Sequence, residues 1–201
     1  MRGFSLLEMA IVLAIMIIVS SITFISLQPA LKDSHVNSAY NLTLMTMRQA
    51  RQTAVDSRKT YIVTFVMPQT IQVWRQDGAV PPAAAPPPVL INTYVLPRDV
   101  SFSAEAGIPT TATTTPDGFG AGYFPVDFSV DYGGGVTSVY FKPDGGAYDN
   151  LGRLNNGVLY LARPTELYTS RAITLYGLTS QLRGWRLFPN TVSGTSEWKP
   201  Q

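Results

Sequence analysis

The most restrictive feature of the sequence is an uninterrupted apolar segment near its N-terminus, residues 4–27. This segment contains one charged residue, Glu8, and neither Gly nor Pro. As an α-helix it would rise roughly 36 Å, enough to cross the hydrocarbon core of a bilayer. Arg2 is the only charged side chain before it, so the sequence predicts a cytoplasmic N-terminus and export of the remainder.

Two ordinary roles compete for this segment. A secretory signal peptide has a shorter apolar core followed by a small-residue cleavage site, whereas here the apolar run resumes at Ile22 after Ser20 and Ser21. A simple signal anchor fits the length but leaves Glu8 unexplained, because a carboxylate within a spanning helix costs about 2.5–3.5 kcal/mol. We therefore expect Glu8 to have a functional partner.

The stretch Gly3-Phe4-Ser5-Leu6-Leu7-Glu8-Met9, followed by the apolar run, resembles the N-terminal signature of type IV prepilins and type II secretion pseudopilins. The resemblance implies that a prepilin peptidase cleaves between Gly3 and Phe4 and methylates the new amine of Phe4. It also implies that Glu8 serves subunit assembly. A Phe4 amine lying against Glu8 in a filament would neutralise the carboxylate and set the axial offset between subunits.

A second helical pattern follows residues 4–27. Apolar and small residues recur at helical spacing and predict a buried stripe on an amphipathic helix: Val36, Tyr40, Thr43, Met47, Ala50 and Ala54. Arg48, Arg51 and Arg58 share one sector of this helix, for which a solvated face is favoured over a partner surface. Residues 50–58 resemble the A-R-x-x-A-[IV]-x-x-R stretch of pseudopilin H and related minor pilins.

The pattern changes to β structure from Thr60 onward. Residues 61–66 and 70–75 flank a turn and predict a hairpin laid on the helix. The predicted fold class is α+β, with a long N-terminal transmembrane-plus-amphipathic α-helix packed on an antiparallel β-sheet domain, as in pilin-like proteins. The predicted divisions are a leader peptide, 1–3, a transmembrane half-helix, 4–27, a periplasmic half-helix, 28–59, and a β-rich globular periplasmic domain, 60–201.

Three oxygen-bearing side chains in a Gly-rich turn, Asp144, Asp149 and Asn150, are candidates for a Ca²⁺ site. They lack the regular ligand spacing and the closing Glu of an EF-hand, so a turn-forming role is favoured. We therefore predict no bound metal and no cofactor.

Arg183, Trp185 and Arg186 combine cations and an aromatic ring, which suits contact with DNA. Some related minor pilins take part in DNA uptake through a basic Gly-Arg motif, whereas here the order is Arg183-Gly184. Solvated arginines at a strand edge are favoured. The net charge of +2 does not by itself suggest a nucleic-acid partner.

The composition removes the common catalytic arrangements. The chain has no Cys and a single His, His35, which excludes disulfides, thiolate chemistry, histidine-based triads and multi-histidine metal sites. Glu105, Asp127 and Asp131 have no recognisable catalytic partner in the sequence. We predict that the protein is not an enzyme and has no catalytic residues.

The favoured function is that of a structural minor pseudopilin of a type II protein secretion system, assembled into a periplasmic pseudopilus. The expected location is the bacterial inner membrane, as a single-pass protein with its C-terminal domain in the periplasm. Expected partners are a prepilin peptidase, other pilins or pseudopilins, and an inner-membrane assembly platform. The alternative is a minor pilin of a type IV pilus, acting in initiation, adhesion or DNA uptake. A third possibility is a membrane-anchored periplasmic binding protein or enzyme that never polymerises.

Overall fold

A computed structural model describes residues 5–77, 87–120, 122–190 and 194–201, and within the first helix it leaves out the side chains of residues 22–30. Helix α1 covers Leu6–Ser57, and a short 3-10 turn covers Pro116–Gly118. The strands in the described residues are β1 Thr60–Val66, β2 Thr70–Gln76, β3 Val89–Val95, β4 Ser101–Phe102, β5 Val126–Asp127, β6 Ser138–Phe141, β7 Ala147–Tyr148, β8 Gly157–Arg163, β9 Glu166–Tyr176, β10 Gln181–Pro189 and β11 Ser196–Pro200.

The chain divides into two units between His35 and Val36. In the described part of the first unit, Ser5 begins α1: its hydroxyl accepts a hydrogen bond from the Glu8 backbone N–H at 3.2 Å. Ser5 and Glu8 are thus spaced as in a capping box, and an acidic side chain in the first helical turn also suits the helix dipole. The start of this helix is therefore encoded locally, by residues 5–8.

The second unit contains two antiparallel sheets. One sheet has the strand order β3-β2-β1-β6-β7, and the other has the order β11-β10-β9-β8-β4, with β5 also pairing with β8. The first hairpin pairs Thr60 with Gln76 and Val66 with Thr70 across a turn of three residues. The predicted hairpin of residues 61–66 and 70–75 is confirmed.

The C-terminal part of α1 provides one wall of the main core. All six residues of the predicted stripe are buried: Val36, Tyr40, Thr43, Met47, Ala50 and Ala54. All of them except Thr43 share one hydrophobic cluster with Phe65 of the first sheet and with Leu159 and Ile173 of the second. The prediction of a helix packed on its own domain is confirmed for this stripe.

Strand β8 is buried on both faces because it lies between two clusters. Leu159 and Leu161 belong to the main core, whereas Val158 and Tyr160 belong to a second cluster with Trp198 of β11. Successive side chains of a strand point to opposite faces, so a doubly buried strand has a nearly continuous apolar sequence. Val158-Leu159-Tyr160-Leu161 shows this pattern.

The predicted fold class is wrong in its transmembrane helix. Among the described residues, no helix is long and apolar enough to cross a membrane. The chain is instead mostly antiparallel sheet, in two sheets. The predicted single-pass location in the bacterial inner membrane is corrected by the same finding.

Gly184 of β10 lies directly against the Tyr40 side chain of α1. A Cβ atom at this position would lie 1.6 Å from the hydroxyl oxygen of Tyr40 and 2.6 Å from its Cζ atom. Such distances are far inside van der Waals contact, so any larger residue must displace the Tyr40 ring or the helix that carries it. Glycine is required here for space and not for its backbone angles.

We expect Gly184→Ala to lower the free energy of unfolding by about 1–3 kcal/mol, the usual cost of overpacking a core. Urea denaturation of the purified chain measures this change. Gln181→Ala is the matched control, because Gln181 is exposed on the same strand and should change stability by less than about 0.5 kcal/mol. Equal stability of the two variants would contradict the Tyr40 contact.

Candidate functional site

The motif that carries the family resemblance is only partly described. Gly3 and Phe4, the predicted cleavage and methylation positions, lie outside the described residues. Glu8 lies in the first turn of α1 and is exposed. The predicted assembly residue is therefore accessible to a neighbouring chain.

The residues around and after Glu8 form an exposed apolar segment of helix. Large apolar side chains between 43 and 91% exposed occupy most positions of this segment: Leu6, Leu7, Met9, Ile11, Val12, Leu13, Ile15, Met16, Ile17, Ile18 and Val19. We call residues 6–19 the apolar segment. Soluble monomers rarely expose a contiguous apolar surface of this kind, and such surfaces usually mark contact with another molecule.

The two carboxylates predicted as weak calcium ligands are occupied by donors from their own turns. Asp144 accepts hydrogen bonds from the Gly146 N–H at 2.9 Å and from the Tyr148 hydroxyl. Asp149 accepts from the Arg153 N–H at 2.8 Å and forms a 2.7 Å ion pair with the Arg153 guanidinium. Asn150 is exposed.

Burial by itself would raise the pKa of Asp149, but hydrogen bonds from Arg153 and Leu151 outweigh it and hold that pKa below its ordinary value. Both carboxylates therefore have structural roles in turns. In the part of the chain that the structure describes, no group of three or more His, Cys, Asp or Glu side chains is placed to hold a metal ion.

The predicted DNA-contact residues, Arg183, Trp185 and Arg186, lie on β10. Two of them donate hydrogen bonds to Asp117, an acid whose role was not predicted from the sequence. Asp117 accepts a hydrogen bond from Arg183 Nη1 at 3.0 Å and one from Trp185 Nε1 at 3.3 Å. Its side chain is 5% exposed, and it also accepts a hydrogen bond from the Thr174 hydroxyl. Arg183 and Trp185 are thus hydrogen-bonded to the Asp117 carboxylate. The Arg186 guanidinium instead lies 5.2 Å from the centre of the Phe188 ring.

Asp117 reaches this position through a turn with an unusual backbone. Its φ of 52° is followed by a φ of 75° at Gly118, and Pro116 precedes it. A Pro-Asp-Gly sequence is a turn signal, so the turn could have been predicted from the sequence. Its pairing with β9 and β10 could not, because the partners lie 57 to 68 positions further along the chain.

The acids considered for catalysis also have structural partners. Asp127 accepts hydrogen bonds from Ser129 and from the Gly135 N–H, and Asp131 accepts from Asn156. Glu105 accepts from the Ser103 hydroxyl at 2.6 Å. These contacts hold loops in place.

No family model, no curated protein and no solved structure matches this chain. The prepilin-like motif of residues 3–9 is thus a resemblance of sequence. The structural features that bear on it are the exposed Glu8 and the apolar segment that surrounds it.

The pKa of Tyr148 offers a test of the Asp144 turn. The hydrogen bond to Asp144, with smaller contributions from burial and from the carboxylate charge, raises the pKa of Tyr148 to about 12 from 10.0. We expect an NMR titration of ring-labelled tyrosines to show this value, with the resonance assigned by its loss in Tyr148→Phe. Asp144→Asn should return the pKa toward 10.0.

Because the pKa is higher in the folded state, the contribution to stability is complete below pH 10 and is lost as the pH rises from 10 toward 12. Asp56→Asn, an exposed acid on α1, is the control and should leave the titration unchanged. A Tyr148 pKa near 10 in the unmodified chain would contradict the hydrogen bond.

Proposed function

We propose that this chain is a structural subunit of a type IV pilin-like filament, specifically a minor pseudopilin of a type II protein secretion system. The single observation that carries the proposal is the exposed apolar segment, residues 6–19, with Glu8 in its first turn. The prepilin-like motif Gly3-Phe4-Ser5-Leu6-Leu7-Glu8 supports it. The expected partners are a prepilin peptidase, other pilins or pseudopilins, and an assembly platform.

The apolar segment supplies the driving force for assembly. Removing apolar surface from water stabilises association by about 25 cal/mol per Å², and side chains 43 to 91% exposed offer much area for removal. The same segment on a second subunit presents an equally apolar surface. Association of equivalent segments therefore needs no partner of different chemistry, which suits a polymer of related chains.

Glu8 supplies the specificity that apolar contact lacks. An apolar surface tolerates many axial offsets, whereas a carboxylate that becomes buried in an assembly must find a cation. Cleavage after Gly3 would create a cationic amine at Phe4, four residues before Glu8 in the sequence. The amine of one subunit and the Glu8 of another form a head-to-tail contact, and contacts of this kind build open filaments when they do not close into rings.

The proposal is tested by the incorporation of Glu8 variants into filaments. In cells that assemble the filament, Glu8→Ala leaves the Phe4 amine of the neighbouring subunit buried without a partner, and an unpaired buried charge costs about 3–5 kcal/mol. We therefore expect this variant to reduce the amount of chain that sediments with filaments by at least about tenfold. Immunoblotting of the filament fraction against the total cell fraction measures this ratio.

The matched control is Asp56→Ala, which removes an exposed acid from the other end of the same helix. This variant should enter filaments as the unmodified chain does. If Glu8→Ala is incorporated as well as Asp56→Ala, the proposed pairing is wrong. If neither variant nor the unmodified chain sediments with a filament, the proposed function is wrong.

A further inference from the structure

A cavity of about 330 Å³ lies where β5 meets the glycine-containing loops that precede and follow it. The volume is near the lower end of the roughly 300–1,000 Å³ of small-molecule sites. Among the described residues, four glycines, two aromatic residues and two valines line the cavity, together with one charged residue, Asp127. The cavity therefore presents a single carboxylate within a largely apolar wall.

Asp127 is held at this cavity by the pairing of β5 with β8, where it lies opposite Val158. The residue is only 5% exposed. Its Oδ1 atom accepts three hydrogen bonds: from the Ser129 N–H at 2.9 Å, from the Ser129 hydroxyl at 3.0 Å and from the Gly135 N–H at 3.0 Å. These bonds to one oxygen fix the orientation of the whole carboxylate.

The other carboxylate oxygen, Oδ2, accepts no hydrogen bond from the described residues, and none of their cations forms an ion pair with Asp127. Unlike the unpaired hydroxyl of Tyr160, which is closed to solvent, Oδ2 keeps an accessible surface. A carboxylate held away from bulk water without a cation costs free energy. A ligand that donates a hydrogen bond to Oδ2 would recover part of that cost.

Gly134 leaves Oδ2 uncovered and brings it close to an aromatic ring. A Cβ atom at this position would lie 3.1 Å from Asp127 Oδ2 and 3.1 Å from Phe124 Cε2, so a larger residue would fill the space beside both atoms. The Phe124 ring is 49% exposed, and the Tyr123 ring, which lines the same cavity, is 76% exposed. Because the face of an aromatic ring attracts cations, the carboxylate and the two rings favour the same charge on a ligand.

The lining favours an organic cation over a metal ion or an anion. Ca²⁺ takes about six to eight oxygen ligands, whereas the described lining offers side-chain oxygens from Asp127 and Tyr123 alone. The same lining contains no Lys, Arg or His that would attract an anion. An alkylammonium ion meets the requirements of the wall, because its N–H groups donate to a carboxylate while its carbon chain lies against aromatic rings.

We propose that this cavity binds a primary alkylammonium group, which donates a hydrogen bond to Asp127 Oδ2 and lies against the rings of Tyr123 and Phe124. A free amine and a lysine side chain share this chemistry. A quaternary ammonium ion fits the site less well, because it has no N–H group for Oδ2. The site belongs to the second unit and does not depend on the proposed filament function.

The test follows the amide signals of Gly134 and Gly135 in NMR spectra of the full-length chain, kept in a non-ionic detergent because of its apolar segment. We expect n-butylammonium chloride to shift both signals and to saturate at about 20 mM, as a site with a low-millimolar Kd requires. 1-Butanol has the same carbon chain without the charge, so it is the control and should bind at least about tenfold more weakly. Sodium chloride keeps the ionic strength equal in all samples.

A second pair of probes identifies the source of the ammonium group. The peptide Ala-Lys-Ala, blocked at both ends, is compared with the same peptide carrying an acetylated lysine, which has no charge. If the lysine peptide binds at least as tightly as n-butylammonium, the source is a lysine side chain of another polypeptide. Weaker binding of the lysine peptide identifies a free amine.

Two variants separate binding from folding. Asp127→Asn should weaken n-butylammonium at least about tenfold, the loss expected when a hydrogen bond between charged groups is removed, and its melting temperature is measured because Oδ1 also holds a loop. Tyr123→Ala removes an exposed ring and should weaken binding about two- to fivefold without lowering the melting temperature. Tyr168→Ala removes an exposed ring of β9, outside the cavity, so it is the matched control and should bind as the unmodified chain does.

The proposal is overturned if n-butylammonium leaves the two glycine signals in place, or if 1-butanol shifts them equally, since the cavity would then recognise a carbon chain alone. It is also overturned if calcium chloride produces the same shifts, because that result would identify a metal site. A folded Asp127→Asn chain that binds n-butylammonium as tightly as the unmodified chain would contradict it. If Asp127→Asn does not fold, equal affinities of Tyr123→Ala and Tyr168→Ala would overturn the proposal.

Discussion

The packing of one helix face against two sheets is the constraint on which the second unit depends. The stripe from Val36 to Ala54 shares a single core with strands of both sheets, so those sheets have a common apolar partner only while the helix keeps its register. Tyr40 lies directly over Gly184 of β10. Near the same end of the stripe, the buried Arg171 of β9 donates a hydrogen bond to Asn37 at 3.1 Å. A rotation of the helix would break both contacts at once.

Asp117 organises the opposite side of the second sheet in a comparable way. Its carboxylate gathers donors from β9 and β10, namely Thr174, Arg183 and Trp185. This arrangement fixes the Pro116–Gly118 turn and the orientation of the Trp185 indole ring. One buried acid thus explains why Arg183 and Trp185, two of the residues predicted to contact DNA, are held by the protein itself.

The sequence alone predicts those features whose causes are local. The helical stripe follows from spacing within twenty residues, and the first hairpin follows from β-branched runs on either side of Met67-Pro68-Gln69. Asp117 was missed because its partners are distant in sequence and a turn signal does not specify what the turn will contact. The prediction of a transmembrane helix was wrong: among the described residues, no helix is long and apolar enough to cross a membrane.

The two units differ in how their apolar side chains are placed. The second unit has two clusters of buried apolar residues, whereas the apolar segment of the first leaves large side chains exposed around an acid. The central claim is that this segment assembles with related chains after a new amine has been created close to Glu8. Mass spectrometry of the N-terminal peptide from the native protein tests this claim most directly. The account predicts a chain that begins with N-methylated Phe4, and a native chain that still begins at Met1 would contradict it.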